Sequence, residues 1–331
     1  MKIVVLGGGI STERHVSLVT ATSVCKALRS IGHQAVFVDM YLGLEDWEGP
    51  LSEVFNARDG LCPDAAIEHD APDLQAVRAS RKDQSSSRLG KNVLEVCSLA
   101  DCVYLGLHGA DGEDGKIQSA LDLLGIPYTG SDMLASALAM DKSYAKQIMA
   151  CHGIPTPAYT DHAPCVVKEV NGGSSIGTWI CETDSGMQYA LALSQGKVIV
   201  EEQICGREFT VPVLDGNALS VIEIVAPSGN FDYVSKYQSG NEGANEICPA
   251  PITEEEKNLL QTLAVRLYAA LDLKVFARID FLMDEQGNVF CLEANTLPGM
   301  TPNSLFPKAA KLEGLDYPAL CEKIVELSLK K

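Results

Sequence analysis

The chain has 331 residues, 46% of them hydrophobic, and carries 44 acidic against 26 basic side chains for a net charge of −18. That length exceeds one simple core and predicts two or three domains. The acidic balance excludes a polyanion-binding surface, and no apolar run is long enough to span a bilayer, so neither nucleic acid nor a membrane is an expected partner.

Residues 2 to 39 read as strand, loop, helix, strand: IVVL, then GGGISTE, then Val16, Val19, Val24, Ala27 and Leu28 at helical spacing, then Gly32 and AVFVD. This is a βαβ opening, and MKIVVLGGG reads as a buried first strand rather than a signal peptide. The eleven cysteines lack Cys-x-x-Cys spacing, and most (Cys25, Cys97, Cys151, Cys181, Cys291) sit in apolar contexts. They predict buried thiols in a reducing compartment, hence a cytoplasmic protein. RKDQSSSRLGKN reads as an exposed loop, and DCVYLGLHG as a strand leading through GADGEDGKIQSALDLLGIPYTG. A helical pattern runs from Ser131 to about His152, ended by GIPTP. Two strands flank the glycine loop of VVKEVNGGSSIGTW, followed by a helix over 184–195 and the strand KVIVEEQ. Strands are predicted at 208–214, 219–225 and 231–234, then a long loop at 235–252. Thr253 and Glu256 form a capping box for EEEKNLLQTLAVRLYAAL, and a hairpin and a C-terminal helix end the chain.

The hairpin ARIDFLMDEQGNVFCLEANTLPGM carries the chemistry. Period-two geometry places Ile279, Phe281 and Met283 on one face with Phe290, Leu292 and Ala294. The other face holds Arg278, Asp280, Glu293 and Asn295. Two carboxylates and an amide oxygen are hard ligands suited to Mg²⁺, and the guanidinium points to a phosphate. The plain alternative is a solvated face with an ordinary Arg–Asp pair. The Pro-Gly loop in TLPGMTPNSL, which can aim backbone N–H groups into the same place, argues for the site.

Arg-x-Asp-Phe followed by Leu-Glu-x-Asn-Thr-x-Pro-Gly-Met-Thr-x-x-Ser resembles the C-terminal signature of the D-alanine–D-alanine ligase family, within the ATP-grasp superfamily. Other stretches resemble the family in order: GGGISTERHVSL, LHGADGEDGKIQ, GIPYTGSDMLASALAMDK, GGSSIG, EEQICGREFTV and KYQSGNEGANEICPAP. The resemblance covers nearly the whole chain. It implies an α/β and α+β protein, with a Rossmann-like parallel-sheet domain over 1–130 binding substrate. A central ATP-grasp subdomain with a flap over 131–201 and a C-terminal ATP-grasp subdomain over 202–331 complete it.

The resemblance also implies the reaction: ATP phosphorylates one D-alanine, and the amine of a second attacks the acyl phosphate to give a dipeptide for peptidoglycan precursors. Asp280, Glu293 and Asn295 would hold two Mg²⁺ ions, or Mn²⁺. Lys142, Lys168 and Lys236 would meet ATP phosphates, with the backbone of Ser175 closing over them. Glu201 and the backbone near Ile204 would meet adenine, and Glu208 the ribose. Glu13 would take the first ammonium with His108 nearby, and Ser304 the second carboxylate. Arg278 and the Gly299 N–H would stabilise the oxyanion, while Ser174 would link Tyr237 to Glu13. Tyr237 resembles ligases whose second substrate is D-alanine. A cytoplasmic homodimer acting on small molecules alone is implied.

Three rivals differ in class. A nicotinamide dehydrogenase is suggested by the first strand and GGG, but the string is not G-x-G-x-x-G and Asp39 is weak support. A nucleotide-binding relic without turnover sits badly with an intact metal triad. A sister ligase taking another amino acid, such as D-serine, stays open. The chain departs from the family at Glu169, where proline is usual, at Gly172, and in the short connection TDHAPCVV. These predict a more mobile flap and a carboxylate near the triphosphate, hence weaker or more Mg²⁺-dependent nucleotide binding.

Overall fold

A computed structural model describes residues 1–57, 72–173, 177–225 and 245–331. They form two compact units: Met1–Leu134 with Lys274–Phe276 and Thr296–Lys331, and Ala135–Leu273 with Ala277–Asn295.

Unit 1 is built on a parallel sheet of order β2-β1-β3, from β1 (Lys2–Gly7), β2 (Gln34–Asp39) and β3 (Cys102–Leu105). The unbroken apolar run Ile3–Leu6 is fully buried, as a central parallel strand covered on both faces requires. Helix α1 (Arg14–Ser30) packs along this sheet and against α10 (Tyr317–Ser328). Shorter helices α2 (Leu74–Ser80), α3 (Val93–Cys97), α4 (Lys116–Leu123) and α9 (Leu305–Leu312), with a 3-10 turn at Leu51–Asn56, complete the described helices of the unit.

Unit 2 holds two sheets. In the smaller, β4 (Cys165–Glu169) lies between β5 (Thr178–Cys181) and β6 (Val198–Glu202), all antiparallel, with α7 (Asp184–Leu193) against it. In the larger, of order β10-β9-β7-β11-β12, the strands are β7 (Gly206–Leu214), β9 (Ile222–Val225), β10 (Asn245–Ile247), β11 (Phe276–Asp284) and β12 (Val289–Asn295). The short β8 (Asn217–Ala218) pairs with β7. Helix α8 (Glu254–Ala270) carries the expected capping box of Thr253 and Glu256 at its start. Its Leu260, Leu263, Ala264 and Leu267 join Phe209, Val211, Ile279 and Phe281 in one core.

Two local readings change. The helical stretch from Ser131 is two helices, α5 (Met133–Met140) and α6 (Lys142–Cys151), because Asp141 is extended and its carboxylate caps the N–H groups of Ser143 and Tyr144. Lys142 therefore opens a helix rather than lying inside one. In the hairpin, a bulge at Leu292 makes Phe281 pair with Cys291 and Met283 with Val289. The core face of β12 is thus Val289, Cys291 and Ala294, not Phe290, Leu292 and Ala294. The expected strand at 231–234 lies outside the described residues.

Candidate functional site

The bulge leaves the polar face of the hairpin in register. Asp280 stands opposite Glu293, and Arg278 opposite Asn295. Arg278 clasps the Asp280 carboxylate through Nε at 2.9 Å and Nη2 at 2.8 Å. Thr210 Oγ1 on β7 donates to Asp280 Oδ1 at 2.5 Å, and Asn295 Nδ2 donates to Oδ2 at 3.0 Å. Asp280 is thus a buried carboxylate fixed from three sides, while Glu293 is partly exposed beside Lys142, with Nζ to Oε2 at 3.6 Å. Asn295 spends its NH₂ on Asp280, which leaves its amide oxygen as the donor for a cation.

No cluster of three His, Cys, Asp or Glu side chains suited to a metal exists among the described residues. Two carboxylates and an amide fit Mg²⁺ nonetheless, since that ion is held by one or two carboxylates and completes its shell with water and substrate phosphates. Two cations, Arg278 and Lys142, beside two carboxylates leave the face near neutrality, ready for a phosphate with its metal.

Lys142 is the first residue of α6, where the helix dipole disfavours a cation. Its placement is compensated by the Gly172 carbonyl, which accepts from Nζ at 2.7 Å, and by Glu293. On the smaller sheet, Glu201 pairs with Val166, two residues before Lys168 and on its face. Lys168 Nζ lies 2.6 Å from Glu201 Oε2, and Lys146 Nζ 2.5 Å from Oε1. Burial opposes the Glu201 charge, but the two ammonium groups overcome it and hold the carboxyl below its ordinary 4.5.

A depressed carboxylate contributes stability above its unfolded pKa and loses it as pH falls through the folded value. The stability gap between wild type and Glu201→Gln is therefore expected to be widest above pH 4.5 and to narrow below it. Urea unfolding across an acid series measures it; a gap independent of pH would contradict the clamp.

Glu208 lies on β7 opposite Ile224, and Ile204 in the turn between β6 and β7. Ser174, Ser175, Lys236 and Tyr237 lie outside the described residues. Glu169 departs from expectation. It points to the opposite side of β4 from Lys168, and its Oε1 accepts from Gln195 N at 3.1 Å, just past α7. Its carboxyl packs beside Gly177, at the end of the glycine loop, rather than beside the Lys168 ammonium.

Unit 1 carries a second constellation. Glu13 is buried at the head of α1, its backbone N–H held by Ser11 Oγ at 3.2 Å. Gly109 makes room for it: a Cβ there would lie 2.7 Å from Glu13 Oε2, and the glycine has φ of +71°. His108 is locked between Leu297 O and Thr20 Oγ1, both at 2.9 Å. A carbonyl only accepts, so Nδ1 carries a proton, and in the neutral ring Nε2 accepts from Thr20. Glu113 ties the same loops together, accepting from Gly109 N at 2.7 Å and Leu297 N at 3.3 Å. Ser304 precedes α9; its Oγ meets Thr301 Oγ1 at 2.8 Å and lies beside Gly299. Arg278 and Gly299, the two expected oxyanion donors, belong to different units.

The sequence reading missed Lys146, Thr210 and Glu113, whose partners lie 55, 70 and 184 residues away at Glu201, Asp280 and Leu297. It also named Asp39 as weak support for a nicotinamide dehydrogenase. That carboxylate is spent on Arg14 Nη2 at 2.5 Å and on the N–H groups of Tyr41 and Leu42. The dehydrogenase reading loses its acid.

Comparison with known proteins agrees with this layout. The family described as "D-ala D-ala ligase N-terminus" matches residues 2–131, and "D-ala D-ala ligase C-terminus" matches residues 153–326. The chain is 40% identical over 341 residues to the D-alanine–D-alanine ligase of Pediococcus pentosaceus, covering 98% of this chain and 97% of that protein. It is 39% identical over 347 residues to that of Lacticaseibacillus casei, covering 100% and 96%. The crystal structure of the Bacillus anthracis D-alanine–D-alanine ligase complexed with ATP superposes with a TM-score of 0.75 at 27% identity, covering 100% and 98%. In sequence over its full length and in fold, the chain belongs to the D-alanine–D-alanine ligase family.

Proposed function

We propose that this protein uses ATP to join two D-alanines into D-alanyl-D-alanine, a precursor for peptidoglycan. The observation that carries the reading is the hairpin face of Arg278, Asp280, Glu293 and Asn295 beside Lys142, set in a chain of this family. In the first step a carboxylate oxygen of one D-alanine attacks the γ-phosphorus, and ADP leaves. In the second, the neutral amine of the other D-alanine attacks the acyl carbon and a tetrahedral oxyanion forms; the nitrogen then gives up one proton to the phosphate, which departs with the electron pair of the broken C–O bond as the carbonyl re-forms.

The residues divide the work by unit. In unit 2, Lys142 and Lys168 bind phosphate oxygens, Glu201 and the backbone at Ile204 read adenine, and Glu208 takes the ribose. Two Mg²⁺ ions, replaceable by Mn²⁺, would be held by Asp280, Glu293 and Asn295 and would neutralise charge developing on the transferred phosphoryl group. In unit 1, Glu13 pairs with the first ammonium beside His108, and Ser304 at the head of α9 meets the second carboxylate. Arg278 and the Gly299 N–H stabilise the oxyanion. Lys236 and the backbone of Ser175 add phosphate contacts, and Ser174 joins Tyr237 to Glu13.

The division at 130/131 and 201/202 belongs to this functional reading, as does a cytoplasmic homodimer. No helix among the described residues is long and apolar enough to cross a membrane. Light scattering on the purified protein should give twice the chain mass; a single-chain mass rejects the dimer. A screen of D-alanine, D-serine and D-lactate as second substrate, read by mass spectrometry, tests the specificity. D-alanine should be preferred, and turnover of another acceptor in its place would contradict the assignment while sparing the ligase class.

A further inference from the structure

One buried ion pair of unit 2 joins Glu201 to Lys146, which lies one helical turn beyond Lys142 on α6 and is 5% exposed. Its ammonium donates to Thr156 Oγ1 at 3.1 Å, the Pro157 carbonyl at 2.5 Å and Glu201 Oε1 at 2.5 Å. It also lies 4.9 Å from the centre of the Tyr159 ring. An ammonium has three N–H donors, so all of them are committed to protein acceptors. Lys168 holds the other oxygen of Glu201, and among the described residues this is its one ion pair. The two cations on Glu201 therefore differ in freedom: Lys146 is anchored threefold, and Lys168, among the described residues, by Glu201 alone.

We propose that Lys146 is a positioning residue for base selection. It keeps the Glu201 carboxylate in place when Lys168 turns to the nucleotide's phosphates. The inference rests on Glu201 being the adenine contact. A fixed carboxylate accepts from the 6-amino group of adenine and repels the 6-carbonyl of guanine. With Lys146 gone, Glu201 keeps only a partner that the phosphates draw away, and a buried carboxylate left alone either swings or takes up a proton. In either state it no longer refuses a carbonyl.

The test is the ratio of GTP to ATP dissociation constants for the full chain, measured by titration calorimetry. Lys146→Met keeps the length and removes the charge. It should lower the ratio at least about tenfold while leaving the KM for D-alanine unchanged. Thr156→Val keeps the charge, removes one of the three anchors, and should move the ratio part of the way in the same direction; it serves alone if Lys146→Met does not fold. An unchanged ratio in a folded variant overturns the proposal, and so does an equal loss of affinity for both nucleotides, which marks a merely structural lysine. A wild-type protein that binds neither nucleotide overturns the nucleotide reading itself, an outcome distinct from either.

Discussion

Glu293→Gln is expected to fold, to bind nucleotide, and to lose turnover by about three orders of magnitude, the scale of losing one preorganised electrostatic group. The substitution is close in shape, and the site is partly exposed, so packing costs little. The electrostatics change sharply. With Asp280 and Glu293 against Arg278 and Lys142 the face is balanced, and removing one carboxylate leaves an excess positive charge where a divalent cation must sit. Lys142 also loses the carboxylate that helps it occupy the wrong end of a helix dipole. A coupled ADP-release assay across a Mg²⁺ series reads the effect. Activity should stay low at any Mg²⁺ concentration, whereas activity within a few-fold of wild type would mean that the metal face is misplaced.

The second large effect concerns the other unit. Glu13→Gln removes a buried negative charge expected to pair with an ammonium. Charge-assisted hydrogen bonds contribute about 1.5–3 kcal/mol, and 1.4 kcal/mol is a factor of about ten, so kcat/KM for D-alanine should fall by about one to two orders of magnitude. Gly109→Ala tests the geometry without touching the charge. Its methyl would lie 2.7 Å from the Glu13 carboxylate, and alanine at φ of +71° is strained in addition. Both variants should raise the KM for D-alanine and leave ATP affinity unchanged, because the nucleotide residues belong to unit 2. If Gly109→Ala matched wild type, Glu13 would not be the anchor of the first substrate.

What the sequence disclosed follows from the range of the interactions. The buried run Ile3–Leu6 and the capping box of Thr253 and Glu256 are local patterns, and the structure has both. The polar face of the hairpin was readable because alternation near its open end survives the bulge. The bulge itself was not readable. One extra residue at Leu292 inverts the parity of everything toward the turn, and no composition signal marks it. Asp141 carried its N-cap signal, but the helical pattern on both sides masked it. Lys146 looked like an ordinary helix lysine because its carboxylate arrives from β6. The direction of Glu169 is set by simple alternation. Strand β4 runs through Glu169, so alternation turns it to the opposite side from Lys168.

The most direct test of the whole account follows oxygen. D-alanine labelled with ¹⁸O in its carboxylate is incubated with the protein, ATP and Mg²⁺, and the products are weighed by mass spectrometry. Phosphorylation of the carboxylate predicts one dipeptide per ADP, with one labelled oxygen carried into each phosphate released. Unlabelled phosphate, or ADP release without dipeptide, would contradict it.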